Sequence, residues 1–221
     1  MQPLPPFPSL DTLFQQADAL LGPVLLLLFT LSAVIATAAR DWRLVLAAFM
    51  AIYLTLALYT ARLLPPQWAL LRVVVGGLAG VMWYLSAQQA GWGGRFLPFQ
   101  RSLGVQARPL ASTTIFRALL AISMAVVLWV LRARLPLSIL PTDVRLAAYT
   151  LAAFGLLGLA LGEEALQTGV ALLFWLAATQ LLVAVLQQDA WLIWLLSALE
   201  LLLALTTGYL MIARGAETGE R

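Results

Sequence analysis

The feature that most constrains this chain is a series of continuous apolar runs, each about 20 residues long, separated by short polar breaks. The runs span Ala19–Ala39, Leu44–Leu64, Trp68–Ala87, Ile115–Leu131, Val144–Leu161, Ala165–Leu186 and Ala190–Ile212. A soluble domain has no use for so many, because its surface must be largely polar. In hydrocarbon, backbone N–H and C=O groups find no water, so a spanning segment must be a helix or part of a closed barrel. Barrel strands alternate polar and apolar residues over about 10 positions. These runs are twice as long and do not alternate. The expectation is an all-α, polytopic transmembrane protein of about seven spans.

Composition agrees: 62% of the 221 residues are hydrophobic and 10% are charged. Residues 1–18 read as an extramembrane lead-in, Pro-rich and without a basic residue, hence unlike a cleavable signal with its positive n-region. Residues 19–140 hold four spans and a loop, 88–114, where arginines alternate with Trp92, Phe96 and Phe99. That loop suits interfacial anchoring on lipid headgroups or contact with another subunit. Pro141-Thr142-Asp143 is a helix start signal and opens a three-helix unit, 141–214, followed by a short polar tail, 215–221.

The chain has no cysteine and no histidine. Cys-ligated clusters, His-ligated haem and ordinary zinc sites therefore have no ligands here, and no cofactor or metal is expected. All thirteen basic residues are arginines scattered between apolar runs, without the basic face that nucleic-acid binding needs. With the N-terminus outside, the cytoplasmic segments carry eight arginines and the opposite side five. The bias favours that orientation, with loop 88–114 and the C-terminus in the cytoplasm.

Few residues are placed to carry chemistry, and catalysis is not expected of this chain. Glu200 lies near the middle of the last run, where a carboxylate costs roughly 2.5–3.5 kcal/mol to insert. Such a group marks an ion path or a buried interface, against the plainer alternative of a packing hydrogen bond. Gln180, deep in the sixth run, needs a partner for its amide. Glu163 and Glu164 form a tight turn at the membrane surface, and as acids opening the sixth helix they suit its dipole. Glu200, Gln180, Glu164 and Glu163 are the ion-path candidates. Arg72, one turn inside the third run, reads as an interfacial charge that snorkels or pairs with an acid of another subunit. Gly76, Gly77 and Gly80 read as close helix packing.

The last three runs carry a pattern. A span, the turn Gly162-Glu163-Glu164, a second span, a short break, and a third span with a central acid end at Ala213-Arg214. This resembles the K-type small subunit of respiratory complex I, and more closely component E of hydrogenase-4-type complexes and its cousins in multisubunit cation/proton antiporters. The resemblance implies a non-catalytic membrane subunit of a proton-translocating redox or antiporter-type complex in a prokaryotic cytoplasmic membrane. Its partners would be other membrane subunits, a large antiporter-like one among them, and lipids. Glu200 matches the acid of the family's last helix. The stretch Thr168–Gln180 lacks the acid that the family carries in the preceding helix, which turns the expectation toward a scaffold beside a pumping subunit. The alternatives are an assembly or lipid-interacting subunit of another respiratory or photosynthetic complex, and a small stand-alone transporter.

Overall fold

The computed structural model describes residues 10–63, 65–92, 110–136, 141–186 and 190–219. Seven helices fill them: α1 (Leu10–Ala38), α2 (Trp42–Leu63), α3 (Pro66–Gln89), α4 (Leu110–Leu131), α5 (Thr142–Leu161), α6 (Ala165–Leu186) and α7 (Ala190–Gly219). Six of them, α2 to α7, are long and apolar enough to cross a membrane, and α1 carries a shorter apolar stretch, Val24–Ala38. The protein is all-helical and polytopic, as its apolar runs require. Helix α1 starts at Leu10, ahead of the apolar boundary at Ala19, and α7 continues past Ile212 to Gly219. Most of the loop read at 88–114 and the acid Asp189 lie outside the described residues.

The helices pack as two layers of three, α1-α2-α3 against α5-α6-α7, with α4 laid outside against α1 and α5. Neighbours within a layer are antiparallel because short turns join them. Across the layers, α3 and α7 run parallel: Trp68 stacks edge-on with Trp194 at one end, and a Cβ on Gly215 would meet Ala90 at the other. Helix α4 returns the chain to the starting side so that the second layer can repeat the up-down course of the first. The bundle has a Pro65 end, where α2 meets α3, and a Glu163 end, where α5 meets α6.

Outward faces are apolar. Leu27, Leu31, Val130, Leu202 and Tyr209 are among many large side chains left exposed, as befits helices solvated by lipid. Buried threonines avoid needing partners on other helices. Thr30, Thr55, Thr60 and Thr150 each donate to the carbonyl four residues back, at 2.7–2.9 Å. Lipid tails are as apolar as the side chains, so association rests on close packing. The α2–α3 contact shows it: a Cβ on Gly76 would fall 2.5 Å from Tyr53 Cδ1, and one on Gly80 would collide with Met50. Gly77, read with them as a packing residue, has nothing within 4 Å and faces outward.

Gly76→Ala should therefore overpack the α2–α3 contact and lower stability by about 1–3 kcal/mol. Thermal unfolding in detergent should show this loss for Gly76→Ala and none for Gly77→Ala.

Candidate functional site: a buried ion pair between α3 and α7

Glu200 is fully buried about 15 Å along α7, taking 1.5 Å per residue from Ala190. The bundle does not leave it alone. Arg72 Nη1 donates to Glu200 Oε1 at 3.0 Å, and the two side chains are 4% and 0% exposed. The sequence reading placed Arg72 at an interface, snorkelling or waiting for an acid of another subunit. The structure pairs it with the acid of its own chain. The reason is the parallel course of α3 and α7, which sets Arg72 one turn nearer the Pro65 end than Glu200. The flexible stem of the arginine spans that step inward rather than outward.

Around the pair, hydrogen bonding is incomplete. Glu200 Oε2 and Tyr53 Oη make no bond of good geometry with other described residues, and the Tyr53 hydroxyl lies close enough to the carboxyl to serve it. The Tyr53 phenol lies beside both charges and is pressed there by the bare backbone of Gly76. Nearer the Pro65 end, Gln180 Nε2 donates to Ile193 O at 3.1 Å and to Ser197 Oγ at 2.8 Å. That answers the need of its donor group, while its Oε1 stays buried and unpartnered. A small crevice lies between, lined by Thr60, Trp68, Arg72, Gln180, Ala184 and Ile193. Tyr53 and Ser197 escaped the sequence reading because nothing in their local context separates them from ordinary apolar-helix residues.

Toward the Glu163 end the surroundings change. The rings of Phe49 and Tyr53 lie 4.6 Å apart and those of Phe49 and Trp83 4.8 Å apart. Trp83 is fully buried and its Nε1 donates to Ala204 O at 2.9 Å, one turn past Glu200.

The other acidic candidates belong to a separate cluster. Glu163 and Glu164 sit roughly 18 Å from Glu200 along the helix axes, counted by rise per residue. They gather around Arg117 of α4, 4% exposed, which contacts Leu161 O and reaches Gln167 Oε1 at 3.3 Å and Glu163 Oε1 at 3.2 Å. Gln167 Nε2 in turn donates to Ala39 O at 3.4 Å, so the cluster ties α4 to the ends of α1, α5 and α6. Glu164 has its carboxyl pushed above the ordinary carboxylate value, chiefly by burial in the turn. Arg117 pulls it back down, Glu163 raises it and Arg40 lowers it. Arg117 is thus a structural clamp that a count of arginines by side had hidden. The structure brings Gln180, Arg72 and Glu200 into one region and sets Glu163 and Glu164 apart.

No family model, curated protein or solved structure matches the chain.

Removing one member of a buried pair strands the other charge, whereas replacing both with apolar residues removes the need for pairing. Arg72→Leu and Glu200→Leu should each cost about 3–5 kcal/mol, and the double variant should regain most of that loss. Unfolding of all four proteins in one detergent closes the cycle; additive losses would deny the contact.

Proposed function

We propose that this chain is a non-catalytic integral membrane subunit of a proton-translocating redox or antiporter-type complex. In this reading the Arg72–Glu200 pair is its contribution to a buried polar axis. The observation that carries the reading is the pair itself: an acid and a base held at mid-bundle, with the Tyr53 hydroxyl beside the carboxyl. Ionisable groups at that depth are costly and mark ion or proton paths by default. Gln180 extends the polar groups toward the Pro65 end, while Glu163 and Glu164 serve the clamp on Arg117. The resemblance of the last three helices to the complex I and hydrogenase-4 type subunits supports the same reading. It supplies the partners: a large antiporter-like subunit, other membrane subunits and lipid. The setting proposed is the cytoplasmic membrane of a prokaryote, with the Pro65 end outside and the C-terminus in the cytoplasm, on the arginine bias.

A second reading has its own support. Because one chain supplies both charges, the pair is neutralised without any partner, which is what a scaffold or assembly subunit would need. The double variant Arg72→Leu/Glu200→Leu separates the two. It keeps apolar packing without a stranded charge, so the parent complex should still assemble. If the pair lies on the proton path, coupled proton transport measured in membrane vesicles should fall at least tenfold while electron transfer persists. Normal coupled transport in the assembled double variant would leave only the scaffold reading.

A further inference from the structure

Gln180 Oε1, near the pair, is buried without a partner among the described residues. Buried acceptors in native proteins are almost always satisfied, by protein or by ordered water. The Tyr53 hydroxyl lies beside the Glu200 carboxyl and can serve one of its oxygens, whereas Gln180 Oε1 can only accept and has no donor among the described residues. Its need for a donor points to water.

The crevice is in the right place to hold it. The Arg72 guanidinium and the Gln180 amide both line it. It has room for about one water molecule, and that water would have the two or more polar partners it requires. Thr60 and Trp68 set the crevice toward the Pro65 end. Trp68 is the third residue of α3 and stacks with the largely exposed Trp194, as aromatic residues do at the level of lipid headgroups. From that level Arg72 is one helical turn inward, and Glu200 lies about one turn beyond it.

Past Glu200 the character reverses. Phe49, Tyr53 and Trp83 form a contiguous layer of rings, with Met50 seated against the bare backbone of Gly80 beside it. The Trp83 indole N–H is spent on Ala204 O, so the layer offers passing water no donor from that ring. The pair is therefore polar-flanked on one side and ring-sealed on the other.

We infer that the space between α2, α3, α6 and α7 is a water-holding blind path that opens at the Pro65 end and stops at Arg72–Glu200. The ring layer Phe49–Tyr53–Trp83 seals it from the Glu163 end. Its ligand is water, in effectively single file, which gives the buried carboxylate contact with one aqueous phase only. This concerns the geometry of the chain and stands whether or not the parent complex moves protons.

The native chain has no cysteine, so single thiols can be placed on a clean background. Thr60→Cys and Ser197→Cys put a thiol in the path and beside Glu200 with almost no added bulk, and Ser86→Cys puts one beyond the ring layer. Silver ion is small enough to follow a water file and does not cross lipid. It is applied to the full chain in right-side-out and inverted membrane vesicles, in nitrate buffer, and unreacted thiols are then alkylated after denaturation. Thr60→Cys and Ser197→Cys should be blocked from the Pro65 face and at least tenfold more slowly from the other. Ser86→Cys should not be blocked from the Pro65 face. Failure to block both path thiols from the Pro65 face, comparable blocking from both faces, or blocking of Ser86→Cys from the Pro65 face would overturn the inference. Loss of silver access would leave the transport reading untouched, since that reading is judged on the double leucine variant.

Discussion

One contact organises this bundle: the salt bridge from Arg72 to Glu200, 3.0 Å long and closed to solvent. Two charges in a region that is apolar on every outward side carry a large desolvation cost, recovered only when each has the other in good geometry. That requirement dictates more than one contact. It holds α3 alongside α7 in parallel register, and so holds the third helix of one layer over the third helix of the other. The layers would otherwise meet through apolar side chains, which in lipid give little preference for one register over another. A mid-bundle pair is a specific register mark on a surface that has few.

The second polar cluster does the corresponding work at one end. Arg117 reaches the last carbonyl of α5, the turn acid Glu163 and the amide of Gln167, and Gln167 reaches Ala39 just past the end of α1. Helix α4 makes few inward contacts and most of its surface faces outward, so this anchor matters for its placement. Glu163 is 69% exposed, and an exposed partner adds little to an ion pair. The buried guanidinium and its carbonyl contact carry the attachment. Electrostatics is thus concentrated in a central pair and a terminal clamp, with packing between them.

Much of the architecture was legible from the runs of apolar residues, because their length and continuity leave the backbone no other way to satisfy itself. Glu200 stood out for the same reason: a carboxylate ten or more residues from both ends of a span is an anomaly that needs explaining. Its partner did not stand out. Arg72 lies within reach of the headgroup level, where snorkelling is the ordinary outcome, and only the parallel packing of α3 on α7 turns it inward. That packing joins residues 128 positions apart, a relation no local pattern carries. The same holds for Tyr53 and Ser197, ordinary in sequence and informative only beside the pair. Glu163 and Glu164 were conspicuous as two adjacent acids in a chain with few charges, and what the sequence did not carry is that the turn places them near Arg117 and away from Glu200.

The central claim is that Arg72 and Glu200 are in direct contact inside one chain in a lipid bilayer. Solid-state NMR tests it most directly, with ¹⁵N-labelled arginine and ¹³C-labelled glutamate in the reconstituted protein. A Glu163→Gln/Glu164→Gln background removes the two described acids beside Arg117. The account predicts a strong guanidinium-to-carboxyl dipolar recoupling in that background, sharply reduced by adding Glu200→Gln. Recoupling unchanged by Glu200→Gln, with the chain folded and helical, would contradict it.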